Sequence, residues 1–214
     1  MIDERAKRKK SGFWREMPVL LVVAILVAVV VRAFILQTFY IPSESMERTL
    51  EINDRVLVNK LVYNFRPPQR GEIVVFEAPM LWRSDPREKD FIKRIIGVGG
   101  DRIVCCDAEK RITVNGMPLD EPYIYQDDAG KSDLASEEPF DVVVPPKRIW
   151  VMGDHRAHSG DSREKYTRTK DTNFATIEED SVVGRAFVVF WPFPHATWLD
   201  VPPTFAKVPA TPQQ

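Results

Sequence analysis

The chain has 214 residues, with 30 Lys and Arg against 31 Asp and Glu and a net charge of -1. That length holds one catalytic domain of moderate size plus an appendage, and the balanced charge excludes the global field that attracts nucleic acid. Cys105 and Cys106 are the only cysteines and are adjacent, which excludes an ordinary disulfide framework. A bridge usually joins Cα atoms about 5.5–6 Å apart, so neighbours fit it poorly. The expectation is a pair of buried thiols in a strand, with no redox role.

The first sixteen residues carry Arg5, Lys7, Arg8, Lys9, Lys10 and Arg15 against Asp3, Glu4 and Glu16. An apolar run over residues 17–31 follows at once. A helix needs about 20 residues to cross a hydrocarbon core, and residues 33–36 extend the run to that length past Arg32, which can snorkel toward headgroups. Trp14 and Phe39-Tyr40 suit the two interfaces. A cleavable secretory signal has a similar form. Here, however, no small-x-small site follows; Phe34-Ile35-Leu36 stands in its place. The reading is an uncleaved transmembrane anchor over residues 17–36. By the positive-inside rule, residues 1–16 are cytoplasmic and everything after the anchor is extracytoplasmic, in a single-pass cell-membrane topology.

After the anchor, short alternating stretches replace the apolar run. Residues 55–63, 71–76 (after the Pro67-Pro68 turn) and 91–98 read as strands, and Gly99-Gly100-Asp101 closes the last of them. Residues 102–106 and 111–114 follow, and Asn115-Gly116 behind them is a strong hairpin signal. Residues 142–144, 148–152 and 182–191 complete the set. No long amphipathic helical period appears, so the fold class is mostly β: a transmembrane helix followed by an antiparallel β catalytic domain over residues 37–201. Residues 107–146, acidic and polar around 127–138, read as a smaller inserted, loop-rich lobe. Residues 202–214, rich in Pro, Ala, Thr and Gln, read as a disordered tail.

Of the chemistry-bearing motifs, several are absent. His155, His158 and His195 accompany no Gly-x-Ser-x-Gly elbow, no His-Glu-x-x-His and no Cys-x-x-Cys. Residues 97–100 lack the Lys-Ser/Thr of a phosphate loop. No metal and no cofactor is expected. What remains is Ile41-Pro42-Ser43-Glu44-Ser45-Met46. Pro42 pushes Ile41 toward extended backbone, and two serines two apart on an extended stretch share a side. Alone, this is more often just a turn.

A serine hydroxyl needs a base. A lysine serves only if burial lowers its pKa from about 10.4 by several units. Phe91-Ile92-Lys93-Arg94-Ile95-Ile96 is apolar on both faces, so a lysine within it is desolvated. Periodicity does not choose between Lys93 and Arg94, but arginine cannot be deprotonated. The commoner fate of such a lysine is to snorkel, and Lys60 lies in a strand of similar character. A third dense stretch, residues 152–163, is either a solvated loop or one folded against the site. In the second case Ser159 could bond the lysine amine, and Asp161 and Asp154 could pair with Arg163 or Arg94.

Together these stretches resemble the bacterial type I signal peptidases, serine peptidases with a Ser/Lys dyad. The nucleophile motif Ser-Met-x-Pro-Thr-Leu appears as Ser45-Met46-Glu47-Arg48-Thr49-Leu50. Gly-Asp-x-Val-Leu-Val-Asn-Lys appears as residues 53–60, and Lys-Arg-Val-Ile-Gly-x-x-Gly-Asp as residues 93–101. Gly-Asp-Asn-Arg-x-x-Ser-x-Asp-Ser-Arg appears as residues 153–163. Four motifs in the right order behind an anchor are hard to reach by chance. The resemblance implies that Ser45 is the nucleophile and Lys93 the general base. It implies that Ser43 and the Ser45 backbone N–H hold the oxyanion, and that Ser159, Asp161, Asp154, Arg94 and Arg163 support them. It also implies that Phe39, Ile41, Met46, Leu50 and Ile92 line shallow pockets for small side chains. The partners it implies are secretory preproteins, cut after a small-x-small motif, and the lipid bilayer. Departures are Arg48 for proline, Asn53 for glycine and His155 for asparagine.

Two rival readings use the same residues. A self-cleaving serine–lysine protease of the LexA-like type would carry a DNA-binding N-terminal domain where this chain has an anchor. A membrane-tethered, non-catalytic binding module would leave the serine and lysine inert.

Overall fold

The computed structural model of the protein describes residues 10–30 and 35–210. Helix α1 (Lys10–Val30) opens it, with Pro18 inside. The strands then run β1 (Leu36–Tyr40), β2 (Arg55–Asn59), β3 (Ile73–Glu77), β4 (Asp90–Val98), β5 (Arg102–Cys105), β6 (Ile112–Val114), β7 (Met117–Pro118), β8 (Phe140–Val143) and β9 (Arg148–Met152). Short helices α2 (Ser162–Thr169) and α3 (Thr172–Ala175) precede β10 (Ile177–Glu178), β11 (Val182–Trp191) and β12 (Thr197–Trp198).

Among the described residues the strands form two sheets. The larger runs β1-β2-β11-β3-β4-β9-β10, with β12 on the flank of β11, and the smaller runs β7-β6-β5-β8. Every pairing is antiparallel. Burial follows side-chain chemistry. In β8, Phe140 and Val142 are buried while Asp141 and Val143 face out, the alternation of a strand covered on one side. β4 is different: residues 92–97 are all buried, so both faces of that stretch are covered and its side chains are desolvated.

Asn115-Gly116 forms the β6–β7 hairpin as its sequence requires. Both residues have positive φ, 53° and 79°, the geometry a two-residue turn needs and that Asn and Gly tolerate. Most expected strands appear within a residue or two. Residues 60–63 do not continue β2; the chain turns into a 3-10 segment over Val62–Asn64. Here Asn59 Oδ1 accepts from the N–H groups of Leu61 and Val62, at 2.9 and 3.2 Å, and takes them out of the ladder. Strand β1 and helix α2 are additions that hydrophobic patterning did not predict.

Four expectations need correction. No helix among the described residues is long and apolar enough to cross a membrane. The expected anchor spans residues 17–36, and residues 31–34 of it lie outside the described residues. Its described part, residues 17–30, rises only about 21 Å at ~1.5 Å per residue. The anchor's expected end belongs instead to the sheet: Ile35 O accepts from Lys60 N at 2.9 Å, and Leu36 pairs with Asn59.

The lobe begins earlier than residue 107, because β5 belongs to the smaller sheet. It also has a true core, with Ile103, Ile112, Val114 and Leu119 fully buried. Cys105 and Cys106 are joined to each other rather than held as two buried thiols. The strand ends between them, leaving Cys105 inward and Cys106 exposed.

Finally, residues 202–210 are ordered. Composition suggested disorder, but Phe205 and Val208 are anchors. A 3-10 segment, Pro203–Lys207, buries Thr204 and Phe205. Phe205 stacks on Tyr123 with ring centroids 6.4 Å apart, and Thr204 Oγ1 accepts from Asp120 N at 2.9 Å. Residues 211–214 lie outside the described residues. Because Phe205 is only 5% exposed, Phe205→Ala will cost about 3–5 kcal/mol, measured as a fall in the denaturation midpoint. An unchanged midpoint would show that the segment adds nothing to the core.

Candidate active site

Ser45 reaches its place through burial. It sits in a single 3-10 turn, Glu44–Met46, between Ile41 and Leu50. Ile41, Met46 and Leu50 are each at most 1% exposed and pack in one cluster with Val75 and Ile92. Those apolar contacts pin the loop onto β3 and β4. Backbone bonds close it: Ile41 N donates to Asp54 O at 3.0 Å and Leu50 N to Met46 O at 2.7 Å. Within the loop, Arg48 and Asn53 have φ of 78° and 76°. Asparagine tolerates that left-handed region, so Asn53 keeps a glycine-like conformation. A proline at position 48 could not adopt this backbone.

Lys93 lies at the centre of β4, paired with Val74 of β3. It is 5% exposed, and its Nζ donates to Ser45 Oγ at 2.6 Å and to Ile92 O at 3.0 Å. Burial drives its pKa down to about 8, against the fields of Asp161 and Asp154, which pull it up. Lys60, the other lysine considered, lies just past the end of β2 and is partly exposed. The two lysines thus differ in desolvation.

Arg94, the next residue, faces the other way. It grips Asp154 with two bonds, Nε to Oδ1 at 2.9 Å and Nη2 to Oδ2 at 2.6 Å, and lies over the Tyr123 ring at 4.1 Å. Thr49 Oγ1 donates to Asp154 Oδ2 at 2.5 Å, so this carboxylate ties the Ser45 loop to β4. Asp161 caps α2, accepting from Arg163 N and Glu164 N, and also takes Gly153 N at 3.1 Å. Its ion pair with Arg163 is long, 3.5 Å; Arg163 Nη2 instead donates to Arg156 O at 2.5 Å.

Ser43 Oγ stands 3.4 Å from Ser45 Oγ, on the same side as expected. Ser159 departs from expectation: its Oγ is buried but makes no hydrogen bond among the described residues. The recorded bonds of Lys93 Nζ go to Ser45 and Ile92 instead. Phe39, Ile41 and Ile92 line a cavity of about 790 Å³ together with Ser43, Ser45 and Lys93. Met46 and Leu50 do not line it; at 0% exposure they serve the core beneath Ser45.

Sequence reasoning missed three contributors. Thr49 was only part of a motif. Gly153 matters because a Cβ there would overlap Ser45 O and Ser159 Oγ, so only glycine lets the two loops close. His155 donates its backbone N–H to Ser45 O at 3.2 Å. A backbone contact carries no side-chain signal, and only Gly153 had a composition cue. Nearby, His158 Nδ1 is hydrogen-bonded to Glu44 Oε1, which raises the pKa of His158 and lowers that of Glu44.

With this geometry in hand, the relatives are informative. The family described as signal peptidase, peptidase S26, matches residues 14–191. A probable signal peptidase I of Mycobacterium leprae is 36% identical, over 86% of this chain and 78% of that protein. Signal peptidase I of Mycobacterium tuberculosis H37Rv is 37% identical, over 89% and 76%. A probable signal peptidase I-2 of Synechocystis is 37% identical, over 91% and 83%. A crystal structure of a signal peptidase I from Enterococcus faecalis V583 aligns at 26% identity with a TM-score of 0.39, covering 56% of this chain and 97% of that one. The chain belongs to the signal peptidase family, peptidase S26, and is a hydrolase of peptide bonds.

The Arg94–Asp154 pair is buried to 2% and 0% exposure. Removing one partner strands the other charge, so Asp154→Ala will cost about 3–5 kcal/mol, while Arg94→Met with Asp154→Leu recovers most of it. Denaturant melts of the three proteins check this. A single variant as stable as the parent would sink the argument.

Proposed function

We propose that this chain removes signal peptides from secretory preproteins, with Ser45 as nucleophile and Lys93 as general base. One observation carries the reading: the buried amine of Lys93 lies 2.6 Å from the Ser45 hydroxyl. In its neutral form the amine accepts the Oγ–H proton as Oγ bonds to the scissile carbonyl carbon. The Ser43 hydroxyl and the Ser45 N–H receive the developing oxyanion. The amine then passes its proton to the leaving nitrogen, and later activates the water that hydrolyses the acyl-enzyme. Asp154, Asp161, Arg94 and Arg163 hold the two loops and β4 in place, and Ser159 lines the same cavity. Phe39, Ile41 and Ile92 leave room beside Ser45 for small side chains, which fits cleavage after a small-x-small motif.

The membrane half of the reading rests on α1 and on the sheet edge. An anchor that begins at residue 17 and ends before β1 holds the chain in a single pass, with residues 1–16 cytoplasmic and the sheet-bearing peptidase domain outside. Val19, Leu20, Leu21 and Val22 of α1 are each more than 60% exposed, a surface suited to lipid. Tyr40 and Trp191 both register with Arg55, so they share one end of the sheet. With Phe193 and Trp198, 74% and 68% exposed, they suit the headgroup region.

A cleavage assay on a preprotein bearing a signal peptide tests the enzymatic half. Ser45→Ala and Lys93→Ala should each abolish cleavage, and Ser43→Ala should lower kcat by about 10²–10³. The acid limb of kcat/KM should be half-maximal near the Lys93 pKa of about 8. Cleavage persisting in Lys93→Ala would remove the dyad. The same pKa has a consequence for stability. Between about pH 8 and 10.5 the unfolded chain holds a proton that the folded one has released, so stability rises with pH across that window. Lys93→Met should flatten that rise and, at pH 7, raise stability by up to about 3 kcal/mol.

For the membrane half, single-tryptophan variants of the full chain in vesicles of brominated lipid are the probe. Trp198 emission should be quenched, while that of the fully buried Trp150 is not. Equal quenching, or none, would argue against contact at that edge.

A further inference from the structure

We infer that Glu44, His155 and His158 form a binding site for a divalent metal ion of the zinc class, on the rim beside Ser45. One ligand atom from each lies within 4.8 Å of the others. Two imidazoles and a carboxylate are a donor set that zinc takes readily, leaving a fourth position for water. Tetrahedral coordination at about 2.0–2.1 Å needs ligand atoms roughly 3.3 Å apart. The required closure is small, and it falls on His158 and Glu44, whose side chains are 53% and 46% exposed.

His155 is the fixed member. It is buried and stacks on Tyr125 at 3.9 Å and on His158 at 4.4 Å. Both of its ring nitrogens face a carboxylate, Nδ1 toward Glu47 Oε2 at 3.1 Å and Nε2 toward Asp133 Oδ2 at 3.9 Å. With Nε2 as the ligand, Nδ1 keeps Glu47 as an acceptor at hydrogen-bond distance, which fixes tautomer and ring orientation as metal-bound histidines usually require. The sequence hides the site because Glu44 and His155 are 111 residues apart and no short metal spacing exists. His155 stands where the resembled family motif carries an asparagine, which supplies only a weak neutral ligand.

Occupancy would tie Glu44, the residue before Ser45, to the turn over Arg156–His158. That turn precedes Ser159, and His158 itself lines the cavity holding Ser45 and Lys93. A bound ion there narrows the approach to the nucleophile, so zinc should slow cleavage reversibly.

Isothermal titration of ZnCl₂ into the full chain in detergent micelles is the test, with circular dichroism confirming that each variant is folded. One saturable site is expected. His158→Gln and Glu44→Gln should each weaken it at least tenfold, while His195→Gln, which removes a histidine outside the cluster, leaves it unchanged. Inhibition of preprotein cleavage should track the same dissociation constant and disappear with chelator. Absence of saturable binding would overturn the proposal. So would wild-type affinity in both His158→Gln and Glu44→Gln, or an equal loss in His195→Gln.

Discussion

Desolvation of one amine organises this molecule. A lysine exposed to water would hold its proton far above neutral pH and could not take another from an alcohol. Lys93 escapes this because β4 runs between β3 and β9 inside the sheet and its residues 92–97 are all buried. The same burial that builds the core therefore also tunes the chemistry. Two buried carboxylates, Asp154 and Asp161, work against the shift, yet each is engaged elsewhere: one by the Arg94 guanidinium, the other by helix and loop N–H groups. Their negative charge is balanced locally, and desolvation prevails at the amine.

The apolar residues around Ser45 follow the same logic. Met46 and Leu50 resemble pocket residues in sequence but act as pegs, holding the loop down while Ile41 and Ile92 serve both core and cavity. The zinc-class site shares this frame, since the loops that place Ser45 and His155 against each other also bring Glu44 to the histidines.

Much of this was legible in the residues alone. The strands from β2 to β11 follow from alternation and from turn chemistry such as Asn115-Gly116. Lys93 was separable from Arg94 by what arginine cannot do, but not from Lys60 until burial was known, because periodicity carries no measure of depth. The tail was misread for the opposite reason. Its composition is that of a disordered segment, and a single well-placed Phe205 outweighs it. Leu36 was misread because an edge strand of apolar residues and the end of an apolar span have the same local pattern, and only pairing with β2 separates them. The roles of Thr49 and Gly153 depend on contacts between loops about a hundred residues apart. The Ser159 hydroxyl, expected to meet the amine, has no hydrogen bond among the described residues.

Ser45 and Lys93 are 48 residues apart, and the surroundings of the lysine also include Ser159 and Gly160, still further along the chain. Contacts of such long sequence separation form late in folding. A nascent or partly assembled chain therefore carries a fully charged lysine and an ordinary alcohol, and is inert toward its neighbours and itself. Under the proposed Ser45–Lys93 dyad, competence for cleavage therefore arrives together with tertiary assembly.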